Sequence, residues 1–91
     1  MDRYTFFMEF RGGLYISQVK EVNLRTAIVL WSESLDITEI KFMKEKGKLE
    51  LQRVLQNEDP TPIDGVPNVW ILHTIIKAGF VTIHAIKTAD C

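Results

Sequence analysis

The sequence predicts a two-layer α+β domain: a four-stranded antiparallel sheet of two β-hairpins with one or two helices on one face, in the order ββα(α)ββ. Three observations predict it. Two stretches alternate around glycine-bearing turns, "YTFFMEFRGGLYISQV" near the start and "WILHTIIKAGFVTIHAIK" near the end. Between them, "NLRTAIVLWSESL" repeats apolar residues at spacings of three and four. The 91 residues make one domain, 1–91, with a single core. Neither hairpin is stable alone in water, so the two are expected to share one sheet with the helix against it.

In the first hairpin, Gly12-Gly13 can take the positive φ that a two-residue loop demands. Pairing Arg11 with Leu14 sets Phe10 opposite Tyr15, Met8 opposite Ser17 and Phe6 opposite Val19. Because side chains alternate faces, Tyr4, Phe6, Met8, Phe10, Tyr15 and Val19 then share one apolar face. Phe7, Leu14 and Ile16 lie on the other, with Glu9 beside them.

The helix begins at Asn23, a good N-cap, and carries Leu24, Ala27, Ile28, Trp31 and Leu35 on one stripe. Trp31 reads as a core anchor. Residues 36–58 admit two readings. Ile37, Ile40, Met43, Leu51, Val54 and Leu55 fit a helical stripe broken at Gly47, whereas a turn at Gly47 would make a hairpin. The abundance of Glu, Lys, Gln and Leu favours helix. Residues 57–68 hold all three prolines and Gly65, a loop that Ile63 and Val66 can pin down.

With an Ala78-Gly79 turn, the last hairpin sets His73 directly opposite His84. One face holds Trp70, Leu72, Thr74, Ile76, Val81, Ile83 and Ala85. The other holds Val69, Ile71, His73, Ile75, Thr82, His84 and Ile86. A three-residue "KAG" loop would instead place the histidines on different faces. Two imidazoles fall short of the three or four ligands of a zinc site, so no metal or other cofactor is expected.

Eleven basic and twelve acidic residues leave a net charge of −1, which gives no electrostatic footprint for nucleic acid or an anionic membrane. Lys41, Lys44, Lys46 and Lys48 form the one local basic run, and glutamates interrupt it. No apolar run approaches the roughly 20 residues of a membrane span. A single cysteine, Cys91, cannot form an internal disulfide, and the start lacks a signal-peptide core. The expected location is cytoplasmic.

The opening "YTFFMEFRGGLYISQV", followed by a helix containing "AIVLW", resembles the start of HicB-type antitoxins, in which such strands and helix form a partly degraded nuclease-like fold. The chain departs from that pattern by lacking the family's extra residues between second strand and helix, and it shows no DNA-binding tail.

No nucleophile elbow, phosphate loop, paired-cysteine motif or His-Glu-x-x-His is present, so the sequence leans away from an enzyme. Both hairpins are apolar on both faces, and helices can cover only one. The expectation is a small interaction module that self-associates as a homodimer and admits a protein partner. Its interface is expected to hold Phe7, Ile16, Ile71, His73, Ile75, His84 and Ile86. The alternative is a small-ligand or enzymatic site at the 57–70 loop, with Asp64, Asn68 and Trp70 on its rim.

Overall fold

The computed structural model describes residues 1–88; Cys91 lies outside them. Two long hairpins build the sheet: β1 (Asp2–Phe10) with β2 (Gly13–Glu21), and β4 (Val69–Ile76) with β5 (Gly79–Thr88). Helices α1 (Leu24–Glu33) and α2 (Glu45–Leu55) come between them, followed by a two-residue strand, β3 (Thr61–Pro62). The strand order is β2-β1-β5-β4-β3, antiparallel throughout. The class is the α+β class predicted, with a fifth strand, β3, within the stretch 57–68 that the prolines predict to be loop. Pro62 has no N–H to give a ladder, and the outermost position of a sheet is where that loss is tolerated.

Both hairpins pair two residues away from the expected register. Phe10 faces Gly13, Met8 faces Tyr15, and the turn is Arg11-Gly12, with φ of 48° and 84°. Arg11 tolerates the left-handed region in a specific setting. Its guanidinium lies 4.3 Å from the Phe42 ring centre and donates to the Ala78 carbonyl (3.1 Å). In the second hairpin Ile76 faces Gly79, the turn is Lys77-Ala78, and the positive φ falls on Gly79. A shift of two leaves every side chain on its expected face, because strand period is two.

Tyr4, Phe6, Met8 and Phe10 of β1, Leu72 and Ile76 of β4, and Val81, Ile83 and Ala85 of β5 are all buried on one face. Ala27, Ile28 and Trp31 of α1 and Leu51 and Leu55 of α2 close over them. Trp31 stacks on Phe6 with ring centres 4.9 Å apart, and its Nε1–H donates to Ser17 Oγ (2.9 Å). Burying the indole therefore leaves no unmet donor. Asn23 caps α1 as its sequence suggests, accepting from the Thr26 N–H (2.9 Å).

The segment 36–58 is neither one helix nor a hairpin. Asp36 Oδ1 accepts from both the N–H and the hydroxyl of Thr38, a local turn that competes with helix. Those bonds also hold the Asp36 carboxyl below the ordinary aspartate range, the hydroxyl contributing most and the N–H next. Leu35, Ile40 and Met43 reach the core from irregular backbone between the two helices. Gly47 lies inside the first turn of α2: a Cβ there would sit 3.2 Å from Met43 Cγ and 3.7 Å from Ile76 Cδ1. It allows close packing and does not break the helix. At the far end of α2, Arg25 donates to the carbonyls of Leu55 (3.0 Å) and Glu58 (2.8 Å), tying the two helices together.

Candidate functional site: the open sheet face

Alternation sends the remaining strand residues to the face opposite the helices. Its middle row runs Ile16, Phe7, His84, Ile71, Thr61 across all five strands, each residue paired with the next. Flanking rows carry Leu14, Glu9, Thr82 and His73 on one side, and Gln18, Thr5, Ile86 and Val69 on the other. Leu14 (56%), Ile16 (57%), Ile75 (61%) and Phe80 (74%) retain most of their accessible surface. Phe7, Val69, Ile71, His84 and Ile86 are half-buried among their neighbours. Thr5 is buried on this side, and its hydroxyl accepts from Gln18 Nε2 (3.0 Å). Four long strands of eight to ten residues give this face roughly 500 Å2 in projection, at about 4.8 Å between strands and 3.3 Å per residue. Side-chain relief raises the accessible area toward the order of 800 Å2 that each partner of a stable complex contributes.

The histidines are not directly opposite one another, which corrects the sequence reading. His73 faces Thr82, whose hydroxyl lies 3.5 Å from His73 Nδ1, and His84 faces Ile71. They share the open face but sit on a diagonal, a consequence of the turn falling one residue earlier, at Lys77-Ala78. Among the described residues no group of three or more His, Cys, Asp or Glu is arranged to hold a metal ion. Glu9 is exposed and lies between Leu14 and Thr82.

In the 57–70 loop, Asp64 and Gly65 occupy the middle of a turn closed by the Val66 N–H on the Ile63 carbonyl (3.1 Å), with Gly65 at φ 76°. Asn68, at φ 65°, accepts from the Lys87 N–H (2.9 Å) through its carbonyl. The Trp70 side chain lies on the helix side, against the core. Asp64 and Asn68 are thus engaged in shaping the backbone, and Trp70 in packing.

A second feature, invisible to periodicity, lies at the β2 edge. The Tyr15 hydroxyl accepts from the Lys41 N–H (3.2 Å), holding the segment after α1 beside β2. A cleft of about 350 Å3 opens there, floored by Tyr15, Ser17, Trp31 and Leu35 and charged only by Asp36 and Glu39. No helix of the described residues is long and apolar enough to cross a membrane. No protein family, characterised protein or solved structure matches the chain.

Proposed function

We propose that the protein is a small cytosolic interaction module without catalytic activity of its own, which self-associates as a two-fold homodimer through its open sheet face. The observation that carries this reading is the apolar face left uncovered by either helix, with Leu14, Ile16, Ile75 and Phe80 all more than half exposed. Large apolar side chains exposed together on one sheet face mark an interaction surface more often than they occur by chance. A second copy is the simplest cover, since a two-fold interface needs only one self-complementary patch. Phe7, Ile16, Ile71, His73, Ile75, His84 and Ile86 form the contact, and sheets meeting in this way interdigitate to make a common core. The single cysteine in the sequence supports a reducing compartment.

Ile75→Glu tests the reading. In such a dimer the new carboxylate sits in the apolar contact and loses water without gaining a partner. The variant should be monomeric or insoluble, while Asp59→Lys, in the 57–68 loop, should be neither. Sedimentation velocity on the unmodified protein decides first: a clean monomer at high concentration overturns the proposal.

A further inference from the structure

The two edges of the sheet are treated differently. A two-residue turn with Arg11 and Gly12 both at positive φ is closed by a hydrogen-bonded pair, Phe10 with Gly13. In an antiparallel ladder bonded and non-bonded pairs alternate. Tyr15, Ser17, Val19 and Glu21 therefore bond to β1, while the N–H and C=O groups of Leu14, Ile16, Gln18 and Lys20 point to the outer edge. The same alternation carried across the sheet turns Val69, Ile71, His73, Ile75 and Lys77 outward at β4. There part of the row is met: the Val69 carbonyl accepts from the Ile63 N–H (3.2 Å), and Thr61 pairs with Ile71. The Lys77 N–H donates to the Glu50 carboxylate (3.1 and 3.2 Å). β3, Pro62 and Glu50 thus close the two ends of the β4 edge, at Val69–Ile71 and at Lys77.

Among the described residues no strand lies outside β2. Its nine residues pair with β1 one-to-one, without a bulge, and contain no proline. Over Leu14, Ile16 and Gln18 the edge has neither of these two devices, and its one lysine, Lys20, lies toward the far end. Beside it lies the cleft over Tyr15, Ser17, Trp31 and Leu35, rimmed by Asp36 and Glu39.

We propose that the β2 edge and this cleft together take an extended, basic and apolar peptide segment of a partner protein as an added antiparallel strand. Main-chain bonds to Leu14, Ile16 and Gln18 hold the segment, and alternate side chains select it. A residue opposite Ser17 turns toward the cleft, where the small serine leaves room for a leucine-sized side chain. The residue opposite Tyr15 turns toward the segment bearing Asp36 and Glu39, which a guanidinium or ammonium complements. A second copy of β2 fits this edge less well. It would turn Tyr15, Ser17 and Val19 toward the cleft and Lys20 to the other face, bringing no positive charge to the carboxylates.

The test uses the full chain and a fluorescein-labelled peptide, Thr-Arg-Thr-Leu-Thr-Arg-Thr, followed by anisotropy. Saturable binding is expected, weakened about tenfold or more when both arginines are replaced by glutamate. Gln18→Pro removes an outward N–H and no β1 bond, so it should weaken binding about tenfold or more while melting like Gln18→Ala, which keeps binding. No saturable binding, equal binding of the glutamate peptide, or unaltered binding by Gln18→Pro overturns the proposal. So does a change of oligomeric state in Gln18→Pro, which would assign the edge to a second copy. A monomer that binds the peptide sinks only the self-association reading, and a dimer that ignores it sinks only this one.

Discussion

Gly12 offers a measurement of backbone strain free of packing. Its φ is +84°, and a Cβ built there meets no atom within 4 Å, so a new side chain pays no steric penalty beyond its own backbone. The left-handed region costs an ordinary residue about 1–2 kcal/mol, and a β-branched one falls at or above the upper end. Gly12→Val should therefore destabilise by about 1–3 kcal/mol, which at about 4–8 °C per kcal/mol for a domain of this size lowers Tm by about 5–20 °C. Asparagine visits this region readily, so Gly12→Asn should lose only a fraction of that. Gly13 gives the contrast. Its φ is not positive, but a Cβ there would lie 2.6 Å from the Tyr15 hydroxyl. Gly13→Ala should displace that ring and loosen its bond from Lys41, a cost of about 0.5–1.5 kcal/mol. Thermal melts of all variants at one protein concentration read the series. Equal Tm for the valine and asparagine variants would refute the Arg11-Gly12 turn and the edge alternation built on it.

Arg25→Ala should cost about 1–3 kcal/mol, since it strips the donors from two carbonyls at the end of α2. Asp59→Ala, which breaks only an exposed 3.5 Å ion pair with Arg25, should cost under about 1 kcal/mol, and urea midpoints separate the two. Because Asp36 has a folded pKa below its unfolded value, its contribution is present above the ordinary aspartate pKa and is lost as pH falls through the depressed one. Thr38→Ala should bring the Asp36 carboxyl back toward its ordinary pKa by NMR, and an unchanged titration would refute the hydrogen-bond cause. Zinc or a chelator should leave Tm unchanged; a rise of several degrees that disappears in the His73→Ala/His84→Ala variant would show the diagonal pair binding metal.

The face of every residue in both long hairpins was legible in the sequence, and the register was not, for one physical reason. Apolar alternation specifies parity alone, and a slip of two preserves it. Which two residues turn depends on partners far along the chain. Arg11 accepts a positive φ where Phe42 and the Ala78 carbonyl hold its guanidinium, and neither contact is visible from residues 4–19. The same holds for Gly47, whose place in a helix is set by the closeness of Met43 and Ile76. The open face followed from counting apolar positions against helices. The β2 edge did not, because strand order is unreadable in a single sequence and an edge exists only once neighbours are known.

The adjacency of β1 and β5 also governs the order in which this protein can assemble. Arg3 pairs with Thr88, and the middle of the sheet is a seam between segments some 70 to 85 residues apart. During synthesis β1 and β2 emerge before β5 and can close their hairpin within microseconds. Yet one flank of β1 must wait for β5, with Tyr4, Phe6, Met8 and Phe10 presented to the chaperones of the cell meanwhile. Contacts of such separation slow folding, because the loop must close before the contact rewards it. β5 is thus the keystone, and a ribosome stalled between α2 and β5 would hold two helices over half a sheet, with the core hairpin bare along its inner edge.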